Sequence, residues 1–170
     1  GQLASLHKGE GRLPEIHDIM NEIRNLFNIN LPLNNKNVII TAGPTQEPID
    51  PVRYISNQSS GKQGHAIAKA LKRFGADTTL ISGPVNIKDP EDVKVIKIQS
   101  AEEMLQACRK SLPVDIAIFA AAVSDWRVSD PSNKKIKKKE QKHDFLTINF
   151  SQNKDILKEI SSSSNNRPKI

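Results

Sequence analysis

The sequence has few aromatic residues, and their scarcity limits which partners it can bind. Phe, Trp and Tyr together make up only 4% of its 170 residues. Proteins that bind single-stranded nucleic acid stack the bases on aromatic side chains. The formal net charge of +6 favours an anionic partner. Because the aromatic platform is missing, we expect that partner to be a small anion and not a nucleic acid.

Cysteine and long apolar runs are scarce as well. The single cysteine, Cys108, cannot form an intrachain disulfide or a cysteine metal cluster, and we interpret it as core filler in a cytoplasmic protein. No apolar run approaches the ~18 residues needed to span a bilayer, and no signal-peptide pattern opens the chain. We therefore expect no membrane association. We also expect no protein-held metal and surface positions for the four histidines, which lack metal-ligand spacing: His7, His17, His65 and His143.

From residue 37 onward, β-rich segments alternate with segments of helical periodicity. Strands are predicted at 37–43, 77–84 and 93–98 and from 114 onward, with a weaker one at 144–151; helices are predicted at 62–74, at 100–112 and from 153. Ser100 and Glu103 predict a capping box. This alternation is typical of an α/β fold, Rossmann-like and doubly wound, with a mainly parallel sheet and helices on both faces. Residues 1–35 read as an appended helix and linker, and a further strand begins at the last residues.

Ligands of such a fold bind at the carboxyl ends of the parallel strands. Three polar segments follow predicted strands and should meet there: TAGPTQEPIDPVRYISNQSSGK, ISGPVN and AAAVSDWRV. The part TAGPTQEPIDPVR (41–53) has one glycine where the dinucleotide fingerprint needs three, and SSGKQG lacks features of a Walker A loop. A standard dehydrogenase and a P-loop kinase are both disfavoured.

The segment SNQSSGK (56–62) stands at a helix entrance and has two interpretations. It is either a plain N-cap with turn residues or a socket for an anion, built from backbone N–H groups, serine hydroxyls and Gly61. Arg53 and Lys62 would add charge-assisted hydrogen bonds. The position on the ligand edge favours the anion socket.

Two further segments are open to a functional and a structural interpretation. In AAAVSDWRV, Asp125 either accepts hydrogen bonds from a nucleotide or caps a turn. The run KKIKKKEQK (134–142) holds six lysines and is either a solvated loop or a lid that closes over phosphates. If SNQSSGK, AAAVSDWRV and the lysine run lie together on the ligand edge of the sheet, they indicate a site for a nucleotide and a second anionic substrate.

Four segments carry a resemblance to a known family: ITAGPTQEPIDPVRYISNQSSGKQG, AAAVSDWRV, KKIKK and NKDIL. Over residues 36–170 the sequence resembles 4′-phosphopantothenoylcysteine synthetase, which in many bacteria is the C-terminal half of a bifunctional coenzyme A biosynthesis protein. The preceding GEGRLPEIHDI resembles the end of the fused decarboxylase domain. The resemblance thus implies a decarboxylase tail with a linker helix at 1–35 and a synthetase domain at 36–170, truncated at its C-terminus.

The chemistry implied by the resemblance is a CTP-dependent ligation. The carboxylate of 4′-phosphopantothenate attacks the α-phosphate of CTP, which gives an acyl-cytidylate and pyrophosphate; the amine of L-cysteine then displaces CMP. Mg²⁺ accompanies the CTP, and the family is homodimeric. FMN would belong only to the decarboxylase domain, which is absent from this chain. Decarboxylation by this chain is not expected, because LASL (3–6) lacks the cysteine of the family's tail.

The resemblance also implies roles for individual residues. Asn57 would act on the acyl-cytidylate and Lys135 would serve its formation. Arg53 would bind the pantothenate part, in the same or the neighbouring subunit. The phosphate of the pantothenate would be held by Ser59, Ser60 and Gly61. The nucleotide would contact Gly43, Ala120, Ala121, Ala122, Asp125, Lys135, Lys137 and Lys138.

Two alternatives stay open on the sequence alone. One is an enzyme of the same type that uses ATP. The other is a non-catalytic nucleotide-binding module, which CTP binding without pyrophosphate release would favour.

Overall fold

The computed structural model describes residues 14–27, 31–137, 145–162 and 167–170. The chain divides into two units, Gly1–Leu31 and Pro32–Ile170. In the first unit a single described helix, α1, spans Ile16–Leu26, as its apolar spacing predicts. The assignment of residues 1–35 and 36–170 to two different domains of a longer protein stays a prediction. No helix in the described ranges is both long enough and apolar enough to cross a membrane.

The described residues of the second unit form eight strands and three helices. The strands are β1 (Asn37–Ala42), β2 (Gln46–Asp50), β3 (Arg53–Ser56), β4 (Asp77–Ser82), β5 (Lys94–Lys97), β6 (Ile116–Phe119), β7 (Trp126–Val128) and β8 (Phe150–Gln152). The helices are α2 (Lys62–Arg73), α3 (Ala101–Ser111) and α4 (Ile156–Ser161). Four strands build a parallel sheet in the order β5-β4-β1-β6.

The central strand β1 is apolar along nearly its whole length because helices cover both faces of the sheet. Five of its six residues are buried. Ile39 packs into a cluster with residues of α3 and α4, whereas its neighbour Ile40 packs into a second cluster with Ala68 of α2. Successive side chains of a strand point to opposite faces, so one strand serves both clusters. The predicted fold class, a Rossmann-like α/β sheet with helices on both faces, is confirmed.

Helix α3 begins at the cap that the sequence predicts, with one difference. The Ser100 hydroxyl accepts a hydrogen bond from the Glu103 N–H at 3.2 Å. The Glu103 carboxylate, however, accepts from the Gln99 N–H at 2.7 Å and so ties down the residue before the cap. On the inner face of this helix Cys108 is fully buried, which confirms its prediction as core filler, and burial raises the pKa of its thiol to about 12.

Two antiparallel ribbons differ from the prediction. No strand was predicted between residues 43 and 62, yet β2 and β3 form a hairpin across 46–56. Prolines normally argue against a strand, but Pro48 lies exposed in the short strand β2. The second ribbon pairs β7 with β8, so the strand expected at 144–151 is limited to 150–152 among the described residues. The predicted final strand appears as one bridge, in which Lys169 lies parallel to Ile116.

Candidate functional site

Three loops that follow parallel strands are joined by backbone hydrogen bonds at the carboxyl edge of the sheet. The Ala122 N–H, after β6, donates to the Gly43 carbonyl, after β1, at 2.9 Å. The Gly83 N–H, after β4, donates to the Ala42 carbonyl at the same distance, 2.9 Å. A Cβ at Gly83 would lie 1.7 Å from the Pro44 carbonyl oxygen, so the first and second loops touch backbone to backbone. The three polar segments therefore meet as the parallel topology predicts.

Gly61, the residue immediately before α2, has a backbone conformation and a position that favour glycine. Its φ is +69°, in the left-handed region. A Cβ there would lie 2.8 Å from the Val85 Cγ1 atom and 3.3 Å from the Gly43 Cα atom. No side-chain cap bonds the start of α2, and its first turn contains no acidic residue. No acidic side chain therefore competes with an anion for the positive dipole end of α2, and the anion interpretation stays a prediction.

The two predicted phosphate-binding serines lie in the turn before α2. Ser59 Oγ accepts a hydrogen bond from the Gly61 backbone N–H at 3.3 Å, and Ser60 Oγ lies 3.5 Å from the Lys62 backbone nitrogen. Ser59 is half-buried and Ser60 is exposed. Both hydroxyls therefore stand beside the N–H groups that an anion would use.

His65 is not the surface residue that its spacing suggested. It is only 7% exposed, and both its backbone N–H and its ring Nδ1 lie within hydrogen-bond distance of the Gly61 carbonyl, at 3.1 and 3.0 Å. The prediction was wrong because His65 shares the inner face of α2 with Gly64 and Ala68. The double contact holds the Gly61 peptide in place. Of the other histidines, His17 is exposed in α1, and His7 and His143 lie outside the described residues.

Asn57 connects the turn before α2 to the end of β6. Its side-chain amide nitrogen donates to the Val123 carbonyl at 2.9 Å and lies 3.5 Å from the Ala122 carbonyl. Thr45 also connects these two segments, through Ser56 and Ser124. It is fully buried, its hydroxyl oxygen accepts from the Ser124 N–H at 2.9 Å, and its carbonyl accepts from the Ser56 hydroxyl at 2.7 Å.

A cavity of about 300 Å³ lies beside this junction, between the end of β6 and the start of α4. Its lining includes Ala121, Asp125, Asn153 and Asp155. The Asn153 side-chain amide donates to the Ser124 carbonyl at 2.8 Å, and its backbone N–H donates to the Asp125 carbonyl at 2.8 Å. The volume is at the small end of the range for small-molecule sites.

The other two predicted alanines support this edge through their backbones. The Ala120 N–H donates to the Thr41 carbonyl at 3.1 Å, and Ala122 carries the bonds to Gly43 and Asn57. Thr45 and Asn153 had no predicted role. The only sequence signal for Asn153 was its place in NKDIL, and Thr45 had no signal of its own.

Residues 132–137, called the lysine segment below, contain the described part of the run at 134–142 and are held on the β2–β3 hairpin. The Ser132 N–H donates to the Ile49 carbonyl at 2.9 Å, and the Ile136 N–H donates to Asp50 Oδ2 at 3.1 Å. Lys135 and Lys137 are exposed. The lysine segment thus contacts the hairpin, whereas Asn57 and Gly61 contact the loops at the carboxyl edge of the sheet. Lys138 lies outside the described residues.

Arg53, predicted to bind the pantothenate, forms an ion pair with Asp50. Its Nε and Nη2 donate to Asp50 Oδ2, the Nε at 3.1 Å, and Nη2 also donates to the Ile136 carbonyl at 3.1 Å. The Arg53 side chain is 46% exposed, whereas that of Asp50 has no exposure. Hydrogen bonding to Arg53 holds the pKa of Asp50 well below its usual range; burial opposes this, and the Ile136 and Val52 N–H groups add to it.

The lowered pKa predicts how Asp50 contributes to stability at different pH values. The native carboxylate stays ionised where the unfolded one, with a pKa of about 3.9, takes up a proton. Its contribution is therefore complete above that value and is lost as the pH falls through it towards the lower native pKa. In urea unfolding we expect Asp50→Asn to be less stable than the wild type at pH 7, with a gap that narrows by pH 3. The exposed Asp130→Asn is the control, and a gap independent of pH would contradict the assignment.

In the ranges that the structure describes, no three His, Cys, Asp or Glu side chains are grouped so that they could hold a metal ion. The predicted site residues with cationic side chains are Arg53, Lys62, Lys135 and Lys137.

These features define the class: a Rossmann-like α/β domain in which a glycine precedes helix α2 and a cavity of about 300 Å³ lies at the carboxyl edge of the sheet. The family follows from comparison with known proteins. Residues 33–170 match the model of the DNA/pantothenate metabolism flavoprotein C-terminal domain. The chain belongs to this family.

Relatives and a solved structure agree with this membership. Over 161 residues the chain is 45% identical to a coenzyme A biosynthesis bifunctional protein CoaBC of Haemophilus influenzae, covering 94% of this chain and 40% of that protein. Over 166 residues it is 43% identical to a cysteine/cysteine sulfinic acid decarboxylase of an unknown prokaryotic organism, covering 94% and 45%. The crystal structure of the C-terminal domain of a CoaBC protein superposes with a TM-score of 0.67 at 36% identity, covering 79% of this chain and 62% of that one. The chain thus spans about two fifths of the curated relatives it matches.

The comparison corrects the family resemblance drawn from the sequence motifs. We expected a 4′-phosphopantothenoylcysteine synthetase domain preceded by a decarboxylase tail. The family that matches is described as a flavoprotein C-terminal domain, and one similar protein is named a decarboxylase. The synthetase label is therefore withdrawn as the identity of the chain. The predicted site roles, Mg²⁺, FMN, the homodimer and the fused domain stay predictions.

Proposed function

We propose that this chain takes part in coenzyme A biosynthesis as the part of an enzyme that joins L-cysteine to 4′-phosphopantothenate in a CTP-dependent reaction. Relatives named for coenzyme A biosynthesis support the role in that process. The ligase activity is argued below from the chain's own residues. Two of its three substrates, 4′-phosphopantothenate and CTP, are phosphorylated anions, which suits a basic chain with a formal charge of +6.

The start of α2 is the proposed subsite for the phosphate of phosphopantothenate. Gly61 keeps the helix start free of side-chain bulk, and Ser59 and Ser60 place hydroxyls beside its N–H groups. A phosphate there would receive several short hydrogen bonds and the favourable end of the helix dipole. His65 fixes the peptide on which this arrangement depends.

The cavity beside Asp125 is the proposed nucleotide subsite. The small side chain of Ala121 leaves room for a flat base or a sugar, and the Asp125 carboxylate can accept hydrogen bonds from an amino or hydroxyl group. The triphosphate would extend towards the lysines. Mg²⁺ would enter bound to this triphosphate as part of the nucleotide substrate.

The observation that carries the proposal is the double contact of the Asn57 amide nitrogen with the Val123 and Ala122 carbonyls. It joins the turn of the proposed phosphate subsite to the wall of the proposed nucleotide subsite. A carboxylate extending from the first subsite would thus meet an α-phosphate extending from the second beside one side chain. Holding the two reactants in this geometry accounts for much of the expected rate enhancement.

The reaction then needs little acid–base chemistry from the protein. A carboxylate oxygen of the acid bonds to the α-phosphorus while the bond to pyrophosphate breaks. The cysteine amine next bonds to the acyl carbon, the bond to the CMP oxygen breaks, and the amine loses a proton. Lys135 and Lys137 would stabilise the charge that develops on the phosphates. We propose that the chain forms a homodimer, in which the second copy supplies further side chains that bind the substrates.

Pyrophosphate release tests this proposal directly. The chain is incubated with 4′-phosphopantothenate, CTP and Mg²⁺ without cysteine, with ATP in a parallel reaction. We expect release that requires both the acid and CTP, and CMP formation once cysteine is added. Asp125→Asn should lower the affinity for CTP, whereas the exposed Asp130→Asn should not. CTP binding without pyrophosphate release would contradict the ligase and favour a binding module, and faster release with ATP would contradict the CTP preference.

A further inference from the structure

Asp50 is a buried charge for which the proposed reaction provides no task. Its side chain has no exposure, yet its two oxygens accept hydrogen bonds from five N–H groups. Four of these belong to its own hairpin: the Val52 and Arg53 backbone N–H groups, at 2.9 and 3.0 Å, and two guanidinium N–H groups of Arg53. The fifth is the Ile136 N–H at 3.1 Å, 86 residues further along the chain.

Ile136 is held from both sides of its peptide unit. Its N–H donates to Asp50, and its carbonyl accepts from Arg53 Nη2 at 3.1 Å. The Asp50–Arg53 pair therefore acts as a two-point clamp on one residue of the lysine segment. The Asp50 side chain has no exposure, so a loss of its partners would leave a buried carboxylate unpaired at a high cost in free energy, whereas Arg53 is 46% exposed.

A second anchor lies on the other side of Lys135. The Ser132 N–H donates to the Ile49 carbonyl at 2.9 Å, and the Ser132 hydroxyl donates to the Lys134 carbonyl at 2.7 Å. Lys135 thus stands between two fixed neighbours, Lys134 and Ile136, while its own side chain is exposed. The backbone of this lysine is positioned although its ammonium group is free to reach a ligand.

We propose that Asp50 is a positioning residue that, through Arg53 and Ile136, holds the lysine segment on the hairpin and so sets where the Lys135 ammonium group acts. This inference rests on the proposed function for its catalytic consequence. The clamp itself is a property of the fold. It also gives Arg53 a task within the chain, in addition to the predicted contact with the substrate.

Two measurements on Asp50→Asn test the clamp and its consequence separately. The first is amide hydrogen exchange at Ile136 and Ser132, with the β1 and β4 amides as the reference for the intact core. We expect exchange at Ile136 to accelerate about 10-fold or more while β1 and β4 keep their protection. The second is pyrophosphate release, for which we expect kcat to fall about 10-fold with a KM for CTP within about twofold of the wild type. Asp130→Asn, with the same change of charge nearby, should alter neither.

Each outcome bears on one part of the inference. Unchanged exchange at Ile136 overturns the clamp, and faster exchange with an unchanged kcat overturns the positioning role. If the wild type releases no pyrophosphate, the proposed function fails, and exchange at Ile136 alone decides the clamp. If Asp50→Asn does not fold, Arg53→Lys retains the charge but removes the guanidinium bond to Ile136. It should still accelerate exchange there, and no change would overturn the clamp.

Discussion

Replacing Lys135 with glutamine should lower the rate of pyrophosphate release about 10²- to 10³-fold, because the ammonium group would no longer stabilise charge developing on the phosphates. The loss should fall mainly on kcat, since the interaction strengthens as the bond to pyrophosphate breaks. Initial-rate measurements at several CTP concentrations separate kcat from KM. This is the largest functional effect that we expect from a single side chain.

The adjacent Lys134→Gln is a matched control, because it removes the same charge from the same exposed segment. It should keep most of the activity, whereas Lys135→Arg should restore part of what glutamine loses. Equal losses for Lys134→Gln and Lys135→Gln would show that only the total charge of the segment matters. That result would contradict a specific role for Lys135.

Replacing Gly83 with alanine should lower the free energy of unfolding by about 3 kcal/mol. Gly83 is buried, and its new Cβ would lie 1.7 Å from the Pro44 carbonyl oxygen and 2.8 Å from the Pro44 carbonyl carbon. Both atoms belong to the backbone, so the clash cannot be relieved by turning a side chain. The loops after β1 and β4 would have to move apart, which also disturbs the contact of Gly43 with Gly61. Urea unfolding at pH 7 measures the loss.

Gly75→Ala separates this clash from the general cost of replacing glycine. Gly75 follows α2 with a φ of +96°, so alanine there should cost about 1 kcal/mol in left-handed backbone strain. The loss for Gly83→Ala should be clearly larger. Equal losses for the two variants would show that the loops after β1 and β4 have room to separate. The close approach of these loops would then not account for the loss in the free energy of unfolding.

The corrected family assignment separates what is known of the chain from what is proposed. Membership of the flavoprotein C-terminal domain family rests on a match over residues 33–170. The ligase activity rests on the arrangement of Asn57, Gly61 and Asp125, and similar proteins carry both coenzyme A biosynthesis and decarboxylase names. Pyrophosphate release therefore carries more weight than any name in deciding the function.

Local patterns in the sequence predicted the framework of the fold correctly. The β-rich run at 37–43 indicated strand β1, the alternation of strands and helices indicated a sheet with helices on both faces, and Ser100 marked the start of α3. Gly61 was recognised at the entrance of α2 because glycine and serine there interrupt the helical pattern. Such signals lie within a few residues of the structure that they predict, so one sequence suffices to read them.

Contacts between distant segments could not be predicted in this way. No local pattern marked Asp50, and its side chain accepts a hydrogen bond from the Ile136 N–H, 86 positions away. Thr45 had no sequence signal of its own, and its hydroxyl oxygen accepts a hydrogen bond from the Ser124 N–H. His65 was expected at the surface, and the packing of α2 on the sheet buries it.

The amino-acid sequence alone determined the α/β class and the glycine at the start of α2, because hydrophobic periodicity and local backbone preferences act over a few residues. The tertiary structure decided which groups meet. The bond from Asn57 to the Val123 carbonyl and the clamp of Asp50 on Ile136 both form between segments more than sixty residues apart. Such pairs depend on how strands and loops are arranged in space, and each partner carries no local sign of the other.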